Sequence, residues 1–482
     1  MKIRPVIRVL GFLLGVTALS FLLPALASVV AGDHDAWSFL TATGVGLALA
    51  GLMWWAGSDA REIRVREGFA VVTFGWILVG LLGGLPGWFS GQIPSYTDAA
   101  FESISGFTTT GASILTDIEG RSHGVLLWRA LSHWLGGMGI VVLALAIMPL
   151  LGVGGMQLFR AEVPGPVAER LTPRINQTAK LLWGVYVLLT ALETIALMLA
   201  GLSFFDAVCH AMATMATGGF STRNASVGAY ASPAVDWIII VFMVLAGANF
   251  TLHYLALSGK WRVYARDDEF RFYLGLIVAA STLIAIPLLV VHQFPTIHET
   301  IRQAVFQVVS IMTTTGFGTS DYLLWPAVAH TVLLMLMAVG GCAGSTGGGI
   351  KVMRLLLLLK VGKQELVKLV HPRAVFTIWF NGRAVRPELA TNVLGFFLLF
   401  MMVYGLGVVA LTLGVRDLVT AVGATAACLG NIGPGLGEVG PASNYAHLMD
   451  WEKWLLMFFM VAGRLEIFTV LVLFVPAAWR RS

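Results

Sequence analysis

The sequence predicts an all-α polytopic membrane protein with ten transmembrane helices. The 482 residues are 57% hydrophobic and only 12% charged, a composition typical of chains that lie mostly within a bilayer. Long apolar runs recur from one end of the chain to the other, and segments rich in Gly and Thr lie between some of them. We expect two extra N-terminal helices, followed by four repeats that contain two membrane-spanning helices each.

The apolar runs give the expected positions of the ten helices. A hydrocarbon core of about 30 Å requires roughly 20 apolar residues in a helix. The first run resembles a cleaved signal peptide, but it is longer than the apolar part of such peptides, so we interpret it as a retained helix. The runs occupy residues 9–32, 37–57, 67–90, 123–152, 178–203, 234–258, 272–293, 326–360, 388–414 and 454–479.

The basic residues predict the orientation, because Lys and Arg near helix ends tend to stay on the cytoplasmic side. If the N-terminus is inside, 24 of the 31 Lys and Arg residues fall in inside segments, and Arg464 falls within a span. Both termini are therefore expected in the cytoplasm. The formal net charge of +5 follows from this topology and indicates no nucleic-acid partner.

The Gly- and Thr-rich segments form an internal repeat. GFTTTGAS at 106–113 is similar to MATGGFST at 215–222, TTTGFGTS at 313–320 and GNIGPGLG at 430–437. Asp and Thr are good N-cap residues, so we expect a short helix of about a dozen residues before each loop. With Gly111, Gly218, Gly316 and Gly433 as equivalent glycines, the polar residues that open these helices are Asp98, Asp206, Gln303 and Thr420.

The short helices predict a pore. A dozen helical residues cannot cross a bilayer, so each short helix must enter and return on the same side, which the charges place outside. Each repeat has two crossings, so all four have the same orientation, unlike the inverted repeats of many secondary transporters. Non-helical backbone at membrane depth is tolerated only beside protein or a water-filled cavity. The sequence therefore predicts four helix–pore-loop–helix repeats around a pseudo-fourfold pore.

The loop residues are suited to binding an alkali cation. Backbone carbonyl oxygens can replace the hydration shell of such an ion, and Gly permits the required backbone conformations. The negative ends of four short helices would favour a cation at the centre. Aligned with the TVGYG filter of potassium channels, the candidate potassium-binding residues are Thr109, Thr110, Gly111, Ala216, Thr217, Gly218, Thr314, Thr315, Gly316, Asn431, Ile432 and Gly433.

A candidate gate lies in the third repeat, where GGCAGSTGGGIK occupies 340–351. Gly costs about 1 kcal/mol relative to Ala at a helical position, so we expect a break and a loop over about 343–350 beneath the filter. The alternative is a continuous helix that packs closely through small residues. The candidate gate residues are Ala343, Gly344, Ser345, Thr346, Gly347, Gly348, Gly349 and Arg464.

Arg464 lies in the last apolar run, where a charge is costly unless it faces water or a partner. We expect it below the filter, where its charge would limit cation flux; the alternative is a structural ion pair with another helix. Asn249 occupies a related place in the second repeat, and either lines the pore or packs in the core. Ser132, His133 and His210 lack the third group that a hydrolase would require, so we expect no enzyme.

The chain resembles the Trk/Ktr/HKT superfamily of potassium transporters over essentially its whole length, and within it the membrane subunits of bacterial Trk systems. The four loops carry this resemblance, together with RAEVPG at 160–165, LTPRI at 171–175, HPRAV at 371–375 and NGR at 381–383. The resemblance implies potassium uptake, a homodimer in the bacterial inner membrane and a cytoplasmic nucleotide-binding regulatory subunit. It also implies that the 343–350 loop obstructs the pore and that Arg464 matches a family arginine. No cofactor is expected besides K⁺ as the transported ion.

These predictions divide the chain into an N-terminal two-helix extension and four repeats. Their expected bounds are 1–60, 61–152, 153–260, 261–370 and 371–482. An alternative function is a cation symporter coupled to Na⁺ or H⁺ that works by alternating access, against which the parallel repeats argue. The three cysteines, Cys209, Cys342 and Cys428, have no metal-ligand spacing and indicate no disulfide framework.

Overall fold

A computed structural model describes residues 3–57, 65–139, 175–373, 377–385, 387–415 and 417–479. The predicted boundaries near 60 and 152, the segment 160–165 and most of 171–175 lie outside these ranges. The α-helices are α1 (Ile3–Ser20), α2 (Leu22–Ala31), α3 (Ala36–Ala56), α4 (Val65–Gly83), α5 (Leu85–Phe89), α6 (Tyr96–Phe107), α7 (His123–Gly137), α8 (Ile175–Leu199), α9 (Phe204–Met215), α10 (Pro233–Ala246), α11 (Phe250–Leu257), α12 (Val263–Arg266), α13 (Asp268–Val290), α14 (Ile297–Met312), α15 (Ala327–Val339), α16 (Val352–Val370), α17 (Pro387–Leu411), α18 (Leu418–Leu429), α19 (Asp450–Arg464), α20 (Phe468–Leu471) and α21 (Pro476–Trp479).

Two short strands pair in an antiparallel hairpin within the described part of the chain. Strand β1 (Trp379–Phe380) lies opposite β2 (Arg383–Ala384), with Trp379 beside Ala384 and Phe380 beside Arg383. The turn between the strands contains Asn381 and Gly382, both with positive φ, as a tight hairpin turn requires. This hairpin contains the predicted family segment at 381–383.

Six helical spans in the described residues are long and apolar enough to cross a membrane, or eight if each bent helix pair counts as one. Of the ten predicted spans, two are not among these eight. The span predicted at 123–152 continues beyond residue 139 into residues outside the described ranges. The span predicted at 326–360 is interrupted between α15 and α16.

The membrane-spanning helix that follows the loop is broken in more of the predicted repeats than the sequence indicates. In the second repeat α10 and α11 meet at an angle of 100°, and in the fourth α19 meets the segment 468–474 at 110°. In the third repeat a loop at 340–351 separates α15 from α16. Gly247 and Ala248 stand at the break in the second repeat. In the fourth repeat the break follows Arg464, where Glu466 and Ile467 have positive φ of 55 and 57°. The sequence predicts only the third of these breaks.

The four short helices α6, α9, α14 and α18 form the centre of the described fold. In α6 every residue from Ala99 to Phe107 is buried, and α9, α14 and α18 are buried along most of their lengths. The long helices around them expose many apolar side chains, among them Leu192, Val278 and Leu398. This distribution is inverted relative to a protein in water and suits a surface that faces lipid.

The N-terminal extension packs on the first repeat. Helix α1 contacts α3 and α4, and α2 contacts α3 and α7. The close approach of α1 and α3 depends on Gly46 of α3, where an added Cβ would lie 2.6 Å from the Cβ of Ala18 in α1. The three cysteines, Cys209, Cys342 and Cys428, are free and buried.

Candidate functional site

The short helices begin earlier than the sequence predicts. Each has a side-chain N-cap that accepts a hydrogen bond from the third following backbone N–H, and the caps are Ser95, Ser203, Thr296 and Asp417. The expected openers Asp98, Asp206 and Thr420 instead lie in the first turn, and Gln303 lies further inside α14. A carboxylate in the first turn is favoured by the helix dipole, which explains why Asp98 and Asp206 could be mistaken for caps.

The loops that follow these helices share one backbone conformation. The first residue after each C-cap has positive φ, with values of 53, 54, 62 and 56° at Thr109, Thr217, Thr314 and Asn431. The N–H of this residue donates to the carbonyl three residues earlier, and the next N–H donates to the carbonyl five residues earlier. Two residues after the first positive φ comes a glycine, also with positive φ, and these glycines are Gly111, Gly219, Gly316 and Gly433.

This geometry corrects the predicted alignment of the second repeat by one residue. Gly219, with φ of 82°, occupies the place of Gly111, Gly316 and Gly433. Gly218 is equivalent to Thr110, Thr315 and Ile432. Ala216 is the C-cap of α9 and precedes the equivalent positions. Gly218 and Gly219 are adjacent, so the sequence pattern fits either of them, and only the backbone conformation distinguishes them.

The four loops meet in a closed ring, which we call the loop ring and define as residues 109–111, 217–219, 314–316 and 431–433. Each ring glycine lies so close to the next loop that an added Cβ would overlap its backbone. Gly111 faces Gly218 of the second loop, Gly219 faces Thr315 of the third, Gly316 faces Ile432 of the fourth, and Gly433 faces Thr110 of the first. The contacts therefore run through the repeats in order and return to the first, as expected for units around one axis.

A cavity of about 160 Å³ lies against the side of the loop ring from which the chain leaves. It is lined by all four ring glycines and by the segments that follow them. By the predicted topology this is the outer side. A cavity beside the ring is consistent with the rule that non-helical backbone at membrane depth lies beside protein or a water-filled space.

The loop at 340–351, which we call the intramembrane loop, lies against the other side of the ring. The N–H of Gly348 donates to the hydroxyl of Thr314 over 2.7 Å. The hydroxyl of Thr346 donates to the carbonyl of Met215 over 3.0 Å. An added Cβ at Gly348 would lie 2.9 Å from the Cβ of Asn431. The loop thus contacts the ends of the second, third and fourth units at once.

The remaining predicted gate residues fix the shape of the intramembrane loop. Gly344 and Gly349 have positive φ of 76 and 73°. The hydroxyl of Ser345 donates to the carbonyl of Cys342 over 2.6 Å, and Gly347 packs beside the carbonyl of Thr313. The side chain of Asn249 caps α11 by accepting from the N–H of Thr251, and it also packs against Gly344 of the intramembrane loop.

Arg464 completes the layer beneath the ring, at the end of α19. Its Nη1 donates to the hydroxyl of Thr109 over 3.1 Å and to the carbonyl of Thr346 over 2.6 Å. Its Nη2 donates to the carbonyls of Gly136 and Gly137 over 2.7 and 3.0 Å. Arg464 therefore joins the first ring loop, the intramembrane loop and the end of α7, and the sequence predicted its place beneath the ring.

The fourth loop is held differently from the others. The side-chain amide of Asn431 donates to the hydroxyl of Thr110 over 3.0 Å and to the carbonyl of Met460 over 2.8 Å. The hydroxyl of Tyr445 donates to the carbonyl of Gly433 over 2.7 Å. This tyrosine is buried, and no feature of the sequence pattern indicated it.

Buried polar side chains support the loops from behind. In the first repeat Glu102 accepts from the hydroxyl of Ser113 and from Arg129, whose Nε lies 2.8 Å from Glu102 Oε1. In the second repeat His210 occupies the same helical position as Glu102, and its Nε2 lies 2.9 Å from the hydroxyl oxygen of Ser221. The fourth repeat has Ala424 at this position.

His133 supports the second loop from α7. Its Nδ1 lies 2.7 Å from the carbonyl oxygen of Gly106, and its Nε2 accepts a hydrogen bond from the N–H of Phe220 over 3.2 Å. An added Cβ at Gly218 would overlap the imidazole ring. The histidines that could suggest an enzyme are therefore packing and supporting groups of the loop ring.

Comparisons with known proteins identify the family of the chain. The family model for TrkH, described as cation transport protein, matches residues 38–481. The chain belongs to the TrkH family. Members of this family are transport proteins, so the protein is a transport protein and not an enzyme.

Individual relatives of the TrkH family match along the whole chain. The Trk system potassium uptake protein TrkH of Salmonella typhimurium is 43% identical over 485 residues and both chains are covered completely. The protein of the same name from Halomonas elongata is 42% identical over 489 residues, again with complete coverage of both. The crystal structure of the potassium transporter TrkH from Vibrio parahaemolyticus superposes with a TM-score of 0.90 at 40% identity, and covers 100% of each chain.

Proposed function

We propose that the protein takes up K⁺ across the bacterial inner membrane through the loop ring. One observation carries the proposal: four loops of equal conformation contact one another in the order of the repeats and close into a ring. The names of the relatives, which are potassium uptake proteins, support K⁺ as the ion. As the transported ion, K⁺ is the substrate of the protein.

The loop ring has the chemistry of a selectivity filter. The ring residues are the candidate potassium ligands. They include Gly219, and they exclude Ala216, which is the C-cap of α9. A dehydrated alkali cation is stabilised by several carbonyl oxygens at once, and four loops in a closed ring supply them. The C-termini of α6, α9, α14 and α18 adjoin the ring, so their partial negative charges favour a cation there.

The intramembrane loop and Arg464 are suited to act as the gate. Both lie on the inner side of the ring and are joined by the hydrogen bond from Arg464 to Thr346. A guanidinium at this depth repels a cation that leaves the ring, and the loop adds steric obstruction. Opening requires the loop to move away, for which Gly344, Gly347, Gly348 and Gly349 supply conformational freedom.

We further propose that the protein is a homodimer with both termini in the cytoplasm and that a cytoplasmic nucleotide-binding subunit controls the gate. The Trk system in the names of the relatives supports a multicomponent assembly. The basic inside segments of the sequence support the orientation.

The experiment is rubidium uptake by potassium-starved bacteria that lack their own uptake systems. Cells with this chain and a Trk-type cytoplasmic subunit should accumulate labelled Rb⁺, and K⁺ should compete much better than Na⁺. Cells without the chain are the control. Equal competition by K⁺ and Na⁺, or no uptake above the control, would overturn the proposal.

A further inference from the structure

The first turn of α13 lies between the hairpin and the intramembrane loop. It follows Asp267, which caps α13 by accepting from the N–H of Phe270 over 2.7 Å. The next two residues are Asp268 and Glu269, so three acidic residues are consecutive. Because the cap and the first helical turn fix the local backbone, a displacement of Asp268 also displaces Glu269.

Glu269 holds both ends of the intramembrane loop. A single oxygen, Oε1, accepts from the N–H of Ala343 over 2.6 Å and from the N–H of Met353 over 3.0 Å. Ala343 lies near the start of the loop and Met353 lies in the first turn of α16. Glu269 is only 4% exposed, so water cannot replace these bonds without a rearrangement.

The hairpin is bonded to the adjacent acidic residues. The side-chain oxygen of Asn381 accepts from the N–H of Asp268 over 2.7 Å, and its side-chain amide donates to Asp267 over 2.8 Å. Lys360 of α16 donates to the carbonyl of Trp379 over 2.7 Å, and its Nζ lies 3.6 Å from Asp268. Trp379 is 58% exposed, so the hairpin is available to a partner on the predicted cytoplasmic face.

We propose that Glu269 is a positioning residue that holds the intramembrane loop closed, and that the hairpin transmits the movement of a cytoplasmic partner to it through Asp268. The inference rests on the proposed role of the loop as the gate. A displacement of about 1 Å lengthens a bond of 2.6 Å beyond hydrogen-bond range, so a small movement of the hairpin is enough to release one end of the loop.

The first test is Glu269→Ala, measured as rubidium uptake in cells without the cytoplasmic subunit. We expect uptake about tenfold above that of the native chain, because the loss of both bonds, from the N–H groups of Ala343 and Met353, favours the open loop. Glu269→Gln should restore most of the closure, since the amide oxygen can still accept from both N–H groups. The control is Glu365→Ala, an exposed carboxylate on α16, which should leave uptake unchanged.

The second test concerns the hairpin and uses the double variant Asn381→Gly/Asp268→Ala. Glycine accepts the positive φ of 49° at this position and removes the side-chain bonds to α13. The loss of the Asp268 carboxylate removes the remaining bond, which it accepts from the N–H of residue 381 over 3.0 Å. We expect unchanged low uptake without the subunit, because Glu269 still holds the loop, and activation by the subunit reduced about tenfold or more. Activation equal to that of the native chain would refute transmission through the hairpin.

Deletion of residues 344–349 separates this inference from the proposed function. If the deletion causes uptake without the subunit while Glu269→Ala and Glu269→Gln both stay closed, the loop is the gate but Glu269 does not hold it. If the deleted protein is present in the membrane and stays closed, the loop is not the gate and the proposed function fails at that step. Leak in both the deletion and Glu269→Ala supports the inference.

Discussion

Arg464 donates a hydrogen bond to the hydroxyl of Thr109 over 3.1 Å, which places a guanidinium against the loop ring on the side of the intramembrane loop. The same guanidinium nitrogen bonds the carbonyl of Thr346 over 2.6 Å. Removal of this side chain therefore removes a positive charge from the proposed ion path and one attachment of the intramembrane loop. Both effects should increase cation flux.

For Arg464→Ala we predict faster cation flux through the open protein, by about tenfold, which corresponds to about 1.4 kcal/mol of barrier. The measurement is the initial rate of rubidium uptake with the cytoplasmic subunit present, normalised to the amount of protein in the membrane. Arg464→Lys keeps the charge and should lie much closer to the native rate. An Arg464→Ala rate equal to the native rate would exclude a barrier at this residue.

For Gly316→Ser and Gly219→Ser we predict reduced preference for K⁺ over Na⁺. Both glycines have positive φ, and a Cβ at either one would overlap a carbonyl of the next loop. The ring carbonyls must then shift from the distances that suit K⁺. The preference is measured by competition of K⁺ and Na⁺ with labelled rubidium.

Gly318→Ala is the matched control for these two substitutions. An added Cβ at Gly318 meets only the Cβ of Pro441, at 3.7 Å, which is an ordinary contact. We expect its selectivity to equal that of the native chain. Native selectivity in Gly219→Ser would contradict the corrected alignment of the second loop.

For Tyr445→Phe we predict a smaller loss of K⁺ preference, of about twofold to fivefold. The change removes the bond from the tyrosine hydroxyl to the carbonyl of Gly433, and such a bond contributes about 1 kcal/mol. The same competition assay measures it. Tyr96→Phe loses a comparable bond to the carbonyl of Leu81, away from the ring, and should show native preference; an equal effect of both substitutions would argue for a general loss of stability.

For Arg129→Met we predict destabilisation by about 3–5 kcal/mol, because the change leaves Glu102 as an unpaired buried charge. Arg129 and Glu102 are each only 4% exposed. The measurement is the thermal unfolding of the purified protein in detergent. The double variant with Glu102→Gln should recover part of the loss, which would not happen if the two side chains acted independently.

Arg223→Met provides the comparison for an ion pair at the surface. Arg223 is 41% exposed and pairs with Asp206 over 3.0 Å. Asp206 is only 9% exposed, but it still accepts from Ser203 and Thr222 when Arg223 is replaced. Water also screens the exposed guanidinium, so this substitution should lower the unfolding temperature far less than Arg129→Met. Similar losses for both substitutions would contradict the account of the buried pair.

The sequence located the main parts of the candidate site because their composition conflicts with the membrane around them. Gly and Thr at 109–111 and 314–316 and the glycines at 340–349 cannot form stable helices, and Arg464 cannot face lipid. These local conflicts predict the loops, the break between α15 and α16 and the place of the arginine beneath the ring.

The sequence could not locate contacts that depend on how distant segments meet. Glu269 lies 74 residues from Ala343, to which it is bonded, and neither residue has a pattern that indicates the other. The sequence also does not predict the breaks at Gly247 and at 465–467, because the apolar runs around them are long enough for continuous helices. The alignment of Gly218 instead of Gly219 failed for a related reason, since two adjacent glycines carry the same local signal.

The most direct test of the loop ring as a potassium filter is anomalous X-ray diffraction from crystals of the protein grown in Rb⁺. The account predicts a rubidium peak on the axis enclosed by Gly111, Gly219, Gly316 and Gly433, which weakens when K⁺ is added in competition and persists in Na⁺. Crystals with no anomalous peak inside the ring, or with a peak that Na⁺ removes as readily as K⁺, would contradict it.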